Sequence, residues 1–159
     1  MRDLLRILRP TAEQLIEYRV ISTAGRAITR FWSDSVPRRF ELDRHYYFSP
    51  TLRAFRSSVP LGSWVLWVDI DQDSLPDLSA VPAPSAVVKS GLGFHLYWAL
   101  GEFLPVPRLA WALPQLSDRL EADSACAVPH QLLRVPGSFN PKPGRGPCSV
   151  ASFAGDRVY

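Results

Sequence analysis

The segment Trp64–Asp71, with the sequence WVLWVDID, decides the fold because it is the clearest predicted β-strand of the chain. It is rich in β-branched and aromatic residues and stays apolar until it reaches two carboxylates. An apolar run of this kind is typical of a strand that is covered on both faces. We therefore expect a buried strand that ends in Asp69 and Asp71.

Asp69 and Asp71 are the first candidate functional residues. Side chains two positions apart on a strand share a face and lie about 6.6 Å apart along it. Two carboxylates buried together raise each other's pKa unless a cation intervenes, and a pair of Mg²⁺ or Mn²⁺ ions would support phosphoryl transfer. The alternative is an ordinary strand end with both acids in solvent. A calcium loop is excluded, because Ser74 and Ala80 stand where it requires glycine and glutamate.

Downstream of this strand, the sequence predicts a mixture of strands and one helix. Ser85–Lys89 and Phe94–Leu100 indicate two strands joined by a glycine-containing turn. Four leucines at helical spacing predict a helix in which Pro114 either makes a kink or begins the regular part; they are Leu109, Leu113, Leu116 and Leu120. Further strands are predicted at Gln131–Val135 and Cys148–Phe153, with a loop at Pro136–Gly146 between them.

Upstream, the patterns are weaker. Thr11 and Gln14 form a capping-box pattern before apolar residues at helical spacing, which predicts a helix over Thr11–Ala24. Ser33–Arg44 is polar and broken by proline, so we expect a loop. His45–Arg56 indicates a short strand followed by a short helix.

The turn from Lys89 to His95, KSGLGFH, is the second candidate site. Gly91 and Gly93 let the backbone approach a ligand and leave amides free to bind an anion. Lys89, Ser90 and His95 add a cation, a hydroxyl and an imidazole, which together suit the phosphates of a nucleotide. A tight hairpin would also explain the glycines, and a hydrogen-bonded core position would explain the histidine.

Residues 134–142, RVPGSFNPK, form the third candidate site. Prolines restrict the backbone there, so that Arg134, Asn140 and Lys142 are held in place before a ligand arrives. Arginine can clamp a phosphate with two parallel hydrogen bonds, and lysine adds a point charge. A basic surface loop is the alternative.

Composition limits the class of protein. The 159 residues are 47% hydrophobic and have a net charge of +3, which favours one globular domain with a mild preference for anionic partners. Cys126 and Cys148 lack the clustered partners of a zinc site, and Cys126 is predicted to be a buried thiol. Because there is no signal peptide and no apolar run near ~20 residues, we expect a cytoplasmic protein without a membrane partner.

In order along the chain, these motifs resemble the archaeo-eukaryotic primase (AEP) superfamily, and within it the primase-polymerase branch of plasmids, phages and mobile elements. The resemblance covers about Trp64–Lys142 and rests on Asp69-Ile70-Asp71, the turn from Ser90 to His95, Asp123, and residues 134–142. It implies an α+β fold with an RRM-like, mixed or antiparallel central sheet, flanking helices and an N-terminal α/β layer. It implies one catalytic domain over residues 1–159, with an N-terminal α/β part at about 1–60 and an RRM-like catalytic part at about 61–159.

The resemblance also implies an activity. It is template-directed DNA synthesis by a primase or polymerase, which transfers nucleotides from dNTPs or NTPs to a 3′-hydroxyl with two Mg²⁺ or Mn²⁺ ions. The implied partners are a single-stranded DNA template, a primer and nucleotides, with a helicase or another replisome protein in trans.

The site residues follow from the same resemblance. The metals would be held by Asp69, Asp71 and Asp123, where Asp118 and Glu121 compete with Asp123. The nucleotide would be bound by Lys89, Ser90, Gly91, Gly93, His95, Arg134, Asn140 and Lys142. Arg53 and Arg56 are candidates for contact with nucleic acid from their charge alone. Trp67 and Trp98 lie in apolar strands and are expected in the core.

Two other functions are alternatives. A catalytically inactive nucleic-acid-binding replication module with the same fold would keep its binding after loss of the acids. A replication-initiator nicking enzyme requires paired metal-binding histidines and a tyrosine nucleophile, but His45, His95 and His130 are scattered along the chain.

Overall fold

The computed structural model describes residues 2–24, 28–33, 39–55, 57 and 59–159. This part of the chain contains two α-helices, eight β-strands and a short 3-10 helix at Ser124–Cys126. In chain order the helices and strands are α1 (Arg2–Leu8), β1 (Gln14–Ser22), β2 (Ile28–Ser33), β3 (Arg44–Ala54), β4 (Pro60–Ile70), β5 (Ala86–Lys89), β6 (Phe94–Pro105), α2 (Val106–Arg119), β7 (Leu133–Arg134) and β8 (Ser149–Phe153).

One sheet contains these strands in the order β2-β1-β3-β4-β6-β5-β8, and the short β7 pairs with β3 beside this path. Every pairing between the named strands is antiparallel. Helices α1 and α2 bury leucines in the same hydrophobic cluster as β4. The predicted α+β class, with its antiparallel central sheet and flanking helices, is confirmed. The division at about residue 60 stays a prediction, and β3 and β4 pair with each other across it.

Strand β4 is covered on both faces, as its sequence predicts. Val65 and Trp67 belong to one buried cluster, and Val68 and Ile70 belong to a second one. Because side chains alternate along a strand, Asp69 lies on the face of Val65 and Trp67. The core therefore holds the carboxyl-terminal end of this strand, and Asp69 and Asp71 lie at that end.

The elements that follow β4 agree with the sequence predictions. Strands β5 and β6 flank the glycine turn, and α2 contains Pro114 in its interior. Trp67 and Trp98 are 1% and 3% exposed, so both are core residues as expected. The strand predicted at Gln131–Val135 is shorter than expected, because only the two residues of β7 pair with β3.

The helix predicted at Thr11–Ala24 is wrong, because β1 takes its place. Thr11 N donates to Gln14 Oε1 at 3.4 Å, as in a capping box, but Gln14 N donates to the carbonyl of Thr11 at 3.0 Å rather than to its hydroxyl. They close a turn that leads into a strand, where Ile16 and Tyr18 are buried with a period of two. Pairing of β1 with β2 and β3 overrides the local helical signal.

The short helix predicted within His45–Arg56 is also wrong for the described residues. Strand β3 runs for 11 residues, because β1 pairs with one of its edges while β4 and β7 pair with the other. Arg56 lies outside the described residues. Of the loop predicted at Ser33–Arg44, residues 34–38 also lie outside them, and residues 39–43 form neither helix nor strand.

Helix α1 was not predicted from the sequence. Charged residues interrupt its apolar ones, yet Leu4, Ile7 and Leu8 fall on one side at helical spacing and are at most 1% exposed. Seven residues are too few for this pattern to stand out. Neither helix of the described chain is long and apolar enough to cross a membrane.

Substitution of Leu109 in α2 is expected to destabilise the fold. Leu109 is fully buried, so Leu109→Ala should lower the free energy of unfolding by about 2–5 kcal/mol through lost burial and a residual cavity. Trp111→Ala is the matched control on the same helix, because Trp111 is 72% exposed, and it should change stability by less than about 0.5 kcal/mol. Urea denaturation followed by circular dichroism measures both, and equal losses would contradict the burial of this helix face.

Candidate functional site

A polar pocket opens where β4 ends and β6 begins. Eight residues predicted from the sequence line it: Asp69, Asp71, Ser90, Gly93, His95, Arg134, Asn140 and Lys142. The other lining residues are Tyr47, Leu92, Leu132 and Arg145. Three motifs that are distant in the sequence therefore meet in one cavity.

The pairing of β4 with β6 brings the carboxylates to the glycine turn. Asp69 lies directly opposite His95, and Ile70 lies opposite Phe94. Oδ1 of Asp69 is 3.7 Å from Nε2 of His95. Gly93 makes this approach possible, because a Cβ at this position would lie 1.9 Å from the carbonyl oxygen of Ile70.

The glycine turn is also hydrogen-bonded to the loop that follows β7. Gly146 N donates to the carbonyl of Gly91, and Asn140 N donates to the carbonyl of Gly146, both at 3.1 Å. Gly91 has a φ of +112°, and a Cβ there would lie 2.9 Å from the carbonyl oxygen of Gly146. Oδ1 of Asn140 accepts from Lys142 N at 3.3 Å. The loop that carries Lys142 and Arg145 is thus fixed against the turn.

Arg134 enters the pocket from β7, where it lies opposite Tyr47 of β3. It is 6% exposed. Its guanidinium donates to the carbonyl of Phe139 at 3.3 Å and to the hydroxyl of Tyr47 at 3.1 Å, and lies 3.3 Å from Nδ1 of His45. In the described part of the chain, no carboxylate forms an ion pair with Arg134. Its charge therefore remains available to an anion.

Asp69 carries its negative charge in an unfavourable environment. Burial, and then the charges of Asp71 and Asp123, raise its pKa to about 7. A hydrogen bond from Cys126 and the positive charge of Arg134 act in the opposite direction without cancelling it. A cation beside Asp69 would relieve the repulsion between the carboxylates.

His95 is a neutral group at physiological pH. Burial, and then the positive charge of Arg134, lower its pKa to about 3. Its Nδ1 lies 3.4 Å from the hydroxyl of Tyr97, while Nε2 is directed at Asp69. His95 can therefore form hydrogen bonds in the pocket without adding a charge.

Asp123 lies near Asp69 without lining the pocket. It caps the 3-10 helix, with Oδ1 accepting from Ala125 N at 2.9 Å and Oδ2 accepting from the Cys126 thiol at 3.4 Å. Burial, and then the charge of Asp69, raise the pKa of Cys126 to about 12, so the thiol keeps its proton. Cys126 is half-buried, which corrects the prediction of a fully buried thiol.

The chemistry of Asp69 and Asp71 fits a divalent cation. Both supply oxygen ligands, which Mg²⁺ and Mn²⁺ prefer, and their mutual repulsion favours a positive charge between them. Among the residues that the structure describes, no three His, Cys, Asp or Glu side chains are grouped closely enough to hold a metal ion. Asp123 as a third ligand therefore stays a prediction.

Three other candidates stand apart from the pocket. Lys89 is exposed beside the pocket and does not line it. Gly91 does not line the pocket either, and its backbone instead contacts the loop that follows β7. Arg53 is 6% exposed and forms an ion pair with buried Glu17. Its guanidinium is thus buried and paired, and its contact with nucleic acid stays a prediction. Arg56 lies outside the described residues.

Tyr47 and Arg145 line the pocket but were not predicted from the sequence. Arg145 follows Lys142 by three positions in a basic loop that contains glycine, and this pattern is a usable signal. Tyr47 has no such signal, because it reaches the pocket only through the pairing of β3 with β7.

Comparisons with known proteins support the fold. No protein-family model and no curated protein matches the chain. Among solved structures, the chain is similar to the AEP domain of the primase-polymerase of cyanophage S-2L, with a TM-score of 0.77 and 15% identity over 98% of this chain and 89% of that chain. The chain has the fold of an AEP primase-polymerase domain.

Two structures of primase RepB′ are similar as well. One gives a TM-score of 0.70 and 16% identity over 97% of this chain and 56% of that chain, so this chain spans about half of that protein. The other is the catalytic domain of RepB′ in complex with initiator DNA, with a TM-score of 0.72 and 16% identity over 97% of this chain and 85% of that chain. The AEP fold implied by the motif resemblance is thereby confirmed.

Gly93→Ala is expected to disturb this AEP fold at the pocket. Its new Cβ would overlap the carbonyl of Ile70, and the strands would have to separate, which should cost about 1–3 kcal/mol of stability. Gly146→Ala is the matched control at the rim of the same pocket, because its Cβ would meet its nearest atom at 3.8 Å. Urea denaturation of both variants tests this, and a loss as large for Gly146→Ala as for Gly93→Ala would contradict the assigned role of the Gly93 contact.

Proposed function

We propose that this protein is a template-directed DNA primase or polymerase, a nucleotidyltransferase that acts in the replication of a plasmid, phage or mobile element. One observation carries the proposal. A single pocket has two carboxylates, Asp69 and Asp71, at the end of β4 and three basic side chains, Arg134, Lys142 and Arg145, on the β7 strand and loop. A nucleoside triphosphate needs this distribution of charge, since metal-bridged phosphates require both acids and cations.

In the proposed reaction, a primer 3′-hydroxyl attacks the α-phosphate of a dNTP or NTP and pyrophosphate leaves. Two Mg²⁺ or Mn²⁺ ions held by Asp69, Asp71 and Asp123 would supply electrostatic stabilisation of the attacking and leaving oxygens. The chain itself would position the substrate. Ser90 and the amides of the glycine turn would donate hydrogen bonds to the phosphates.

The remaining pocket residues would bind and orient the same triphosphate. Arg134 would pair with a phosphate through its guanidinium, and Lys142 and Arg145 would add positive charge from the loop. His95 would donate a hydrogen bond as a neutral imidazole, because its pKa is lowered to about 3. Asn140 would hold the loop in place through its bond to Lys142 N.

The partners in this proposal are a single-stranded DNA template, a primer and nucleotides, together with a helicase or another replisome protein in trans. The solved catalytic domain of RepB′, which has the same fold, is in complex with initiator DNA. This supports DNA as a partner here.

An inactive DNA-binding replication module is the second candidate function. The observation in its favour is the position of Asp123, which does not line the pocket and whose carboxylate accepts from Ala125 N and from the Cys126 thiol. Such a module would bind DNA and nucleotides without joining them.

The decisive variant is Asp69→Asn/Asp71→Asn, which removes both charges and keeps the side-chain size. With template, primer, Mn²⁺ or Mg²⁺ and labelled nucleotides, the parent should extend the primer, and the variant should lose at least about a hundredfold in rate. Asp73→Asn is the matched control, since Asp73 is an exposed acid of the same loop outside the pocket, and it should keep parental activity. A lane without primer decides whether the enzyme also starts chains.

The outcomes separate the two functions. Product from the parent and from Asp73→Asn, and none from the double variant, supports the enzyme. DNA binding without product in all three proteins would reject the enzyme in favour of the binding module.

Metal binding is testable without activity. A saturating divalent ion, at about 100 times its Kd, should stabilise the parent by about 2.7 kcal/mol, which corresponds to a rise in Tm of about 5–10 °C. The rise should vanish in Asp69→Asn/Asp71→Asn and persist in Asp73→Asn, as measured by differential scanning fluorimetry with Mn²⁺ and with Mg²⁺. An equal rise in all three proteins would place the ion elsewhere.

A further inference from the structure

Among the described residues, Arg134 is held by three neutral acceptors and by no carboxylate. Its guanidinium donates to the carbonyl of Phe139 at 3.3 Å and to the hydroxyl of Tyr47 at 3.1 Å, and a third contact joins it to Nδ1 of His45 at 3.3 Å. Its Cζ also lies 4.9 Å from the centroid of the Tyr47 ring. The side chain is therefore fixed in direction while its charge is not neutralised.

The strand pairing explains why these two aromatic residues meet Arg134. Tyr47 is directly opposite Arg134 in the ladder between β3 and β7. His45 lies two positions earlier on β3 and so shares a face with Tyr47, and the two rings stack at 6.1 Å between centroids. Together they form a wall on one side of the guanidinium.

His45 is able to accept from Arg134 in its neutral form. Burial, followed by the charges of Arg134 and Lys142, lowers its pKa. With the proton on Nε2, the Nδ1 lone pair faces the guanidinium. Arg134 and His45 are therefore compatible neighbours, because the imidazole carries no charge that would repel the arginine.

The benefit of this arrangement is preorganisation. A free arginine side chain loses about 1.5–2 kcal/mol of conformational entropy when a ligand immobilises it, and this loss weakens binding. Neutral acceptors immobilise it in advance, whereas a carboxylate would also have neutralised the charge that an anion needs.

We propose that Tyr47 and His45 are positioning residues that hold Arg134 toward the pocket, so that its guanidinium meets the phosphates of the incoming nucleotide already oriented. This inference rests on the proposed function, since the anion is the triphosphate of that reaction. Tyr47 acts through Arg134 and is not assigned a contact with the reacting atoms.

The first test is Tyr47→Phe, which keeps the ring over Arg134 and removes the hydroxyl acceptor. Loss of a hydrogen bond to a charged group should weaken dATP binding about tenfold, as measured by isothermal titration calorimetry with Mg²⁺ and no DNA. In steady-state primer extension, KM for the nucleotide should rise by the same factor, while kcat and KM for the primer-template stay within about twofold.

A double-mutant cycle decides whether Tyr47 acts through Arg134. In an Arg134→Ala background, Tyr47→Phe should change dATP binding by less than about twofold. Tyr46→Phe is the matched control, because the neighbouring Tyr46 hydroxyl accepts from Glu41 N at 3.0 Å and lies outside the pocket. This control should bind dATP like the parent.

A conservative exchange tests His45 in the same assays. His45→Gln offers a side-chain carbonyl as an acceptor and should bind dATP within about threefold of the parent, whereas His45→Leu should weaken binding by roughly tenfold. Equal losses in both variants would overturn the acceptor role of His45.

The outcomes for Tyr47 are also distinct. A tenfold loss from Tyr47→Phe that persists in the Arg134→Ala background overturns this inference alone, because Tyr47 would then act by its own contact. A parent that binds no nucleotide overturns the proposed function and this inference with it. Denaturation curves for each variant identify any loss that comes from unfolding.

Discussion

Gly93 lies so close to the carbonyl of Ile70 that a Cβ there would be 1.9 Å away, and this contact sets where β4 and β6 meet. Because the two strands pair in register from Val65 to Ile70, Asp69 is opposite His95 and the acids emerge beside the glycine turn. The turn then supports the basic loop through the bond from Gly146 N to the carbonyl of Gly91. The acids, the turn and the basic loop are thus brought together by backbone packing.

The pocket contains a negative charge and a positive charge that do not pair with each other. On one side, burial and two neighbouring acids raise the pKa of Asp69. On the other side, Arg134 is buried without a carboxylate among the described residues. Direct pairing of Asp69 with Arg134 would satisfy both charges and close the site. Their separation leaves two opposite charges in one pocket, and His95, opposite Asp69 in the sheet, is neutral beside them.

The strands next to the site were predictable from the sequence because their signals are local. The run that ends in Asp69 indicates β4, the glycine turn indicates the β5–β6 hairpin, and the leucine spacing indicates α2, each within a short segment. The first third of the chain was not predictable in the same way. Thr11 N donates to Gln14 Oε1 as in a capping box, yet long-range pairing turns the following residues into β1. The seven residues of α1 are too few to show an amphipathic pattern. Eight of the predicted site residues line one pocket, although no single motif required them to meet.

Strand pairing explains why Tyr47 was missed at the site. Tyr47 falls in the first residues of the segment His45–Arg56, where a strand was expected, and nothing along that segment indicates that β7 pairs beside it. Charge alone drew attention to Arg53, which pairs with Glu17 at the other end of the same strand. A residue whose role depends on its neighbour across a ladder leaves no pattern along its own segment, since Tyr47 and Arg134 are 87 positions apart. Site residues that belong to a local motif are therefore easier to predict here than residues such as Tyr47, which reach the pocket through strand pairing.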